Sequence, residues 1–146
     1  GLAGARVGYA LTNPELAQAF DKIRDHFGMS RISQAGALAA LADQDWLAVV
    51  QAQVVAARDR VAAIARANGL RPLPSATNFV TIDCGRDGAH ARRILTELGQ
   101  RGVFIRMPGV APLDRCIRIS LGDKAALDVL EERLPQALSA AASAAG

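Results

Sequence analysis

Two arginines in strand-like runs carry the strongest chemical signal in this sequence. Over residues 116–121, strict alternation puts Ile117, Ile119 and Leu121 on one face and Cys116, Arg118 and Ser120 on the other. Over residues 103–106 it puts Val103 and Ile105 on one face and Phe104 and Arg106 on the other. Both guanidinium groups therefore lie opposite the apolar face that helices would cover. A planar, permanently charged fork in mid-strand is costly to bury unless an anion pairs with it. A carboxylate or phosphate ligand would satisfy both groups. A salt bridge to an Asp or Glu of the chain, or solvation on an open face, would do the same.

The remaining candidates are weaker. Gly1, Gly4 and Gly8 are spaced around Arg6 in a pattern that fits neither the dinucleotide fingerprint nor the P-loop, which also needs a lysine. Glycines leave backbone amides uncrowded, so an arginine there could grip a phosphate; a tight turn with a solvated arginine is spelled the same way. Cys84 and Cys116 make neither a disulfide framework nor a metal spacing, and with His26 and His90 as the sole histidines no metal site is expected. Both cysteines sit in strand-like runs and read as buried thiols. His26 and His90 read as capping or surface residues, and Trp46 as core or interface. Asp83 and Asp87, beside Gly85 and Gly88, read as turn and capping carboxylates. No Gly-x-Ser-x-Gly nucleophile signature occurs. Taken alone, the chain holds no complete catalytic constellation.

The 146 residues suffice for one domain with a real core. Seventeen basic against fourteen acidic residues leave a net charge of +3, too mild to imply nucleic acid. Only Lys22 and Lys124 of the basic residues are lysines. The longest unbroken apolar stretch, residues 35–42, is far short of the roughly 20 residues a bilayer requires. No leader segment is evident, and a reducing cytoplasm is expected.

The elements that must position the arginines follow from periodicity. Residues 6–11 read as a short strand, and Asn13-Pro14-Glu15 opens a helix striped by Leu16, Phe20, Ile23 and Phe27. An alanine-rich helix runs from about residue 32 to 42, capped by Ser30 or Ser33. Asp43 or Asp45 caps a long helix with Val50, Val54, Ala57, Val61 and Ile64 in one narrow seam, ending at Asn68-Gly69. Residues 69–75 are a turn-rich link. Strand 78–84, a helix from Asp87-Gly88 to Gly102, strand 103–106 and strand 116–121 follow. Asp123 caps the last helix, with Leu127, Leu130, Leu134 and Leu138 inward and a kink or early stop expected at Pro135. The tail 139–146 reads as frayed. The order predicts an α/β or α+β mixture in which helices cover one side of a small sheet.

Beyond spacing, Gly1-Leu2-Ala3-Gly4-Ala5-Arg6-Val7-Gly8-Tyr9-Ala10 resembles the segment directly after the Schiff-base lysine in the aspartate-aminotransferase superfamily of pyridoxal-phosphate enzymes, class I/II, most nearly its histidinol-phosphate aminotransferase branch. Ser33-Gln34-Ala35-Gly36-Ala37-Leu38-Ala39-Ala40-Leu41, Pro74-Ser75-Ala76-Thr77-Asn78-Phe79-Val80, Gly102-Val103-Phe104-Ile105-Arg106 and Cys116-Ile117-Arg118-Ile119-Ser120-Leu121-Gly122 follow in family order.

The resemblance implies the C-terminal portion of such an enzyme: residues 1–28 as the end of the large cofactor-binding domain, 29–69 as a helical connector with a long brace helix, and 70–146 as the small domain. It implies that Arg6 binds the phosphate of pyridoxal 5'-phosphate, that Arg118 clamps the substrate α-carboxylate, and that Arg106 helps hold a distal anion. Amino-acid and 2-oxo-acid substrates and a homodimer are expected with it. Neither Lys22 nor Lys124 matches the family's lysine, so the piece alone is expected to be inert. Two rivals stand beside this reading: a non-catalytic, ferredoxin-like amino-acid-binding module, and a phosphothreonine-type decarboxylase of the same superfamily.

Overall fold

The structure of the protein is a computed structural model that describes residues 2–143. Gly1 and the last three residues of the expected frayed tail lie outside them. Among the described residues there are five α-helices and a small antiparallel sheet, and the chain divides into two compact units between Val49 and Val50.

The first unit begins with a 3₁₀ turn at Ala3–Ala5, closed by Arg6 in the left-handed region at φ 51°. Ser33 Oγ donates to the Ala5 carbonyl at 2.7 Å and ties this turn to the start of a helix. The strand expected at residues 6–11 does not form. Strand-like residues need a paired ladder, and Tyr9 and Leu11 are exposed with none beside them. Helix α1 (Pro14–Ile23) starts as its residues dictate, with Asn13 Oδ1 accepting from the Leu16 amide. It ends at Ile23, so Phe27 leaves the expected stripe. Helix α2 (Arg31–Ala42) is capped by Ser30, which accepts from the Ser33 amide. Neither helix buries a residue.

Helix α3 (Gln44–Ala67) opens on Asp43, whose carboxylate accepts from the Trp46 amide. Trp46 itself is exposed, so of the expected core or interface roles the core one is not realised. Twenty-four residues at 1.5 Å each give a rod of about 36 Å. Along the predicted seam Val50, Val54 and Ala57 are half-buried, and Val61 and Ile64 are fully in the core.

The second unit is built on a sheet in the order β1 (Arg71–Pro72), β2 (Phe79–Asp83), β3 (Cys116–Ser120), all antiparallel. The link at residues 69–75 thus contains an edge strand, where proline's missing donor is tolerated. The expected strand at 103–106 reduces to a single bridge from Arg106 to Arg118. The apolar faces of β2 and β3, Val80, Ile82, Ile117 and Ile119, are buried. Helices α4 (Gly88–Gln100) and α5 (Lys124–Ser143) and the end of α3 join this core through Ile94, Leu98, Leu130, Leu134 and Ile64. Truncating a fully buried leucine such as Leu134 to alanine costs about 2–5 kcal/mol. Helix α5 runs through Pro135 without ending, so of the expected kink or early stop the stop does not occur; Leu134 and Ala137 on either side are fully buried and hold it in place.

Candidate functional site

One face of the β2–β3 ladder is core, so the alternate residues define the other. Register pairs Phe79 with Ser120 and Thr81 with Arg118. The four side chains therefore share the open face, with Phe79 diagonal to Arg118. On the far side of β3, the Arg106 amide donates to the Arg118 carbonyl at 3.0 Å and the Arg118 amide to the Arg106 carbonyl at 2.6 Å. Residues that exchange both bonds are directly opposed, and their side chains leave the same face. The two predicted arginines are thus brought together.

Among the described residues neither guanidinium has a carboxylate within 4 Å or a side-chain hydrogen bond. Arg106 is exposed. Arg118 is half-buried, its Nε has no acceptor, and its Cζ stands 4.8 Å from the centroid of the Phe79 ring. Acids elsewhere have taken other arginines: Arg60 holds Asp128 and Glu131, and Arg101 holds Glu97. The salt-bridge alternative for Arg106 and Arg118 is not realised. Two like charges side by side repel, and an anion between them would relieve both the repulsion and the missing acceptor.

Arg6 lies in the first unit and stands by itself. It is exposed, free of acid partners among the described residues, and its Nη1 donates to the Ala3 carbonyl at 3.3 Å. A non-glycine residue at φ 51° carries strain of order 1 kcal/mol, the sort of outlier that clusters at binding sites.

A second charged cluster was missed by spacing. Asp83 is buried, and its Oδ2 accepts from Arg71 Nη2 at 2.5 Å and from Arg115, while Oδ1 accepts from the Gly85 amide at 2.9 Å. The Arg115 bond, the Gly85 amide and Arg71 hold its carboxyl well below the usual carboxylate range against the cost of burial. It read as a turn residue because Gly85, at φ +73°, does make a turn there. Its partners arrive from β1 and from the residue before β3, which only register reveals.

The other candidates resolve as structure. Asp87 caps α4 through the His90 amide. His90 is buried rather than on the surface; burial first, then Arg86 and Arg93, lower its pKa. Cys84 and Cys116 are buried thiols, Cys84 pushed up to about 11 by desolvation. Lys124 pairs with Asp128 at 2.9 Å, and Lys22 sits in the last turn of α1. Among the described residues no group of three His, Cys, Asp or Glu could hold a metal, and no helix is long and apolar enough to cross a membrane. A cavity of about 540 Å³ is lined by Val54, Ala57, Arg60, Leu121, Lys124 and Leu127, and by none of Phe79, Arg106 and Arg118.

Residues 1–134 match the family described as aminotransferase class I and II. The chain belongs to that family. Histidinol-phosphate aminotransferase 2 of Gluconobacter oxydans (strain 621H) is 38% identical over 142 residues, which cover 94% of this chain and 39% of that protein. The crystal structure of histidinol-phosphate aminotransferase from Sinorhizobium meliloti in complex with pyridoxal-5'-phosphate is 58% identical, with a TM-score of 0.92 over 95% of this chain and 38% of that one. A decarboxylase structure from Sulfurospirillum multivorans shares the fold at a TM-score of 0.70 and 20% identity, covering 94% of this chain and 40% of that one. The chain spans about two-fifths of the length of the relatives it matches. Family membership bears out the α/β reading and the resemblance, and leaves the non-catalytic module without support.

Proposed function

We propose that this chain is the C-terminal portion of a pyridoxal-phosphate-dependent aminotransferase of the histidinol-phosphate branch, a homodimeric cytoplasmic enzyme of amino-acid biosynthesis. The parent transfers an amino group between an amino acid, histidinol phosphate or an aromatic amino acid among them, and a 2-oxo acid. The observation that carries the reading is the pair of Arg106 and Arg118 on one open sheet face, free of acids among the described residues. Identity of 58% to a histidinol-phosphate aminotransferase, against 20% to the decarboxylase, favours the transaminase over its decarboxylating rival.

The residues present fit one end of the cofactor. Arg6, exposed and unpaired among the described residues, suits the phosphate. Pyridoxal phosphate, when bound, supplies an electron sink for bond breaking at the substrate's α-carbon. Arg118 binds the α-carboxylate through its two-pronged edge and so orients the bond that must break. Arg106 beside it takes the distal anion of the substrate. No lysine here suits the carbonyl end: Lys22 lies on an exposed helix, and Lys124 is engaged by Asp128. The amine that moves the α-proton must come from the rest of the parent.

The test is an amino-transfer assay of the full-length parent and of this chain alone, both with added cofactor. Transfer by the parent and none by the 146 residues is expected. Cofactor-dependent transfer by the chain alone would refute the assignment of roles.

A further inference from the structure

We propose that Phe79 is the positioning residue for Arg118, setting the angle at which its fork meets a substrate carboxylate; this rests on the carboxylate-binding reading of Arg118 given above. An arginine at a binding site is usually aimed by hydrogen bonds to its own nitrogens. Arg118 has no such bond among the described residues, and its Nε is buried without an acceptor. The contact that sets the guanidinium plane is the ring of Phe79, 4.8 Å from Cζ. A cation within about 6 Å of a ring centroid is drawn to the ring face, more strongly where both are partly shielded from water. Phe79 and Arg118 are both half-buried.

Register makes the contact specific. Phe79 pairs with Ser120 and Arg118 with Thr81, so the ring reaches its cation along the diagonal of the ladder. On the opposite side the bridge to Arg106 fixes the Arg118 backbone and adds a second cation that would push the fork away. The ring on one side and the charge on the other favour one tilt of the guanidinium. A fork aimed before the substrate arrives loses less rotamer freedom on binding. Phe79 never touches the reacting atoms; it acts through Arg118.

The experiment uses the full-length parent with cofactor bound, numbered as here. Phe79→Leu keeps apolar bulk and removes the ring face, whereas Phe79→Tyr keeps the face. In the leucine variant KM for the amino acid and for the 2-oxo acid should rise about 2- to 30-fold while kcat stays within about twofold. Cofactor retention should be unchanged, and tyrosine should restore KM. Should the leucine variant fail to fold, site-specific pentafluorophenylalanine at Phe79 keeps the shape, weakens the ring's negative face, and should raise KM in the same way. An unchanged KM in the ring-weakened variants, with Arg118→Ala still raising it, overturns the role of Phe79 alone. Falls in kcat and cofactor retention that tyrosine does not restore would mark Phe79 as merely structural and also overturn it. An unchanged KM in Arg118→Ala overturns the reading of the site, and this inference with it.

Discussion

Arg106 and Arg118 exchange both backbone hydrogen bonds of an antiparallel bridge, so two guanidinium groups leave the same sheet face side by side with no acid on either among the described residues. Some arginines elsewhere are matched: Arg71 and Arg115 converge on Asp83, and Arg60 spans two carboxylates. Like charges directly opposed on a sheet face repel, so the pair should cost the ligand-free fold some stability.

That cost is measurable. Arg106→Gln should stabilise the ligand-free chain by at most about 0.5 kcal/mol at low salt, since like charges directly opposed on a sheet repel. The gain should shrink near 1 M salt, where the screening length falls to about 3 Å. Urea unfolding at two ionic strengths reads both, and a loss of stability in the variant would contradict the repulsion.

Asp83 carries the opposite expectation. Asp83→Asn should cost about 1–3 kcal/mol at neutral pH, less than a fully buried pair because Arg71 and Arg115 are largely exposed. The folded carboxyl titrates below its unfolded value near 3.9, so its contribution is complete above that value and is lost as pH falls through the folded one. The stability gap between wild type and variant, followed by urea unfolding, should be flat above about pH 5 and close below about pH 4. A gap that widens on acidification would be the wrong sign.

The thiols should be inert. Burial raises both, Cys84 to about 11, so neither is a thiolate at pH 8. An aromatic disulfide reagent should react with neither until denaturant is added and then with both. Rapid modification of the native chain would contradict their burial.

What could be read from residues alone was whatever local chemistry decides. Asn13, Asp87 and Asp123 cap their helices as their positions dictate, and the α3 seam buries its C-terminal members. Alternation over residues 116–121 was enough to set Arg118 apart from Ile117 and Ile119. Pairing between distant segments was not legible. The bridge that opposes Arg106 to Arg118, the diagonal that lays Phe79 against Arg118, and the convergence of Arg71 and Arg115 on Asp83 all depend on register. Residues 6–11 show the converse error, strand-forming side chains with no ladder to join.

Arg6 combines strain with a charge that has no acid partner among the described residues. In the parent, Arg6→Ala and Arg6→Gly should both weaken cofactor retention, about 10- to 100-fold for a lost charged hydrogen bond. Glycine should also relieve the left-handed backbone at φ 51°, so its variant should melt higher than the alanine one. Cofactor absorbance after dialysis and thermal melts separate the two effects. Unaltered retention in both would remove Arg6 from the phosphate.

The most direct measurement is the steady-state kinetics of Arg118→Ala in the full-length parent. Loss of one member of a desolvated charge pair costs about 2–5 kcal/mol, so kcat/KM for the amino acid should fall at least about 30-fold, chiefly through KM. Wild-type values in that variant would mean that the paired cations of this sheet receive no substrate acid.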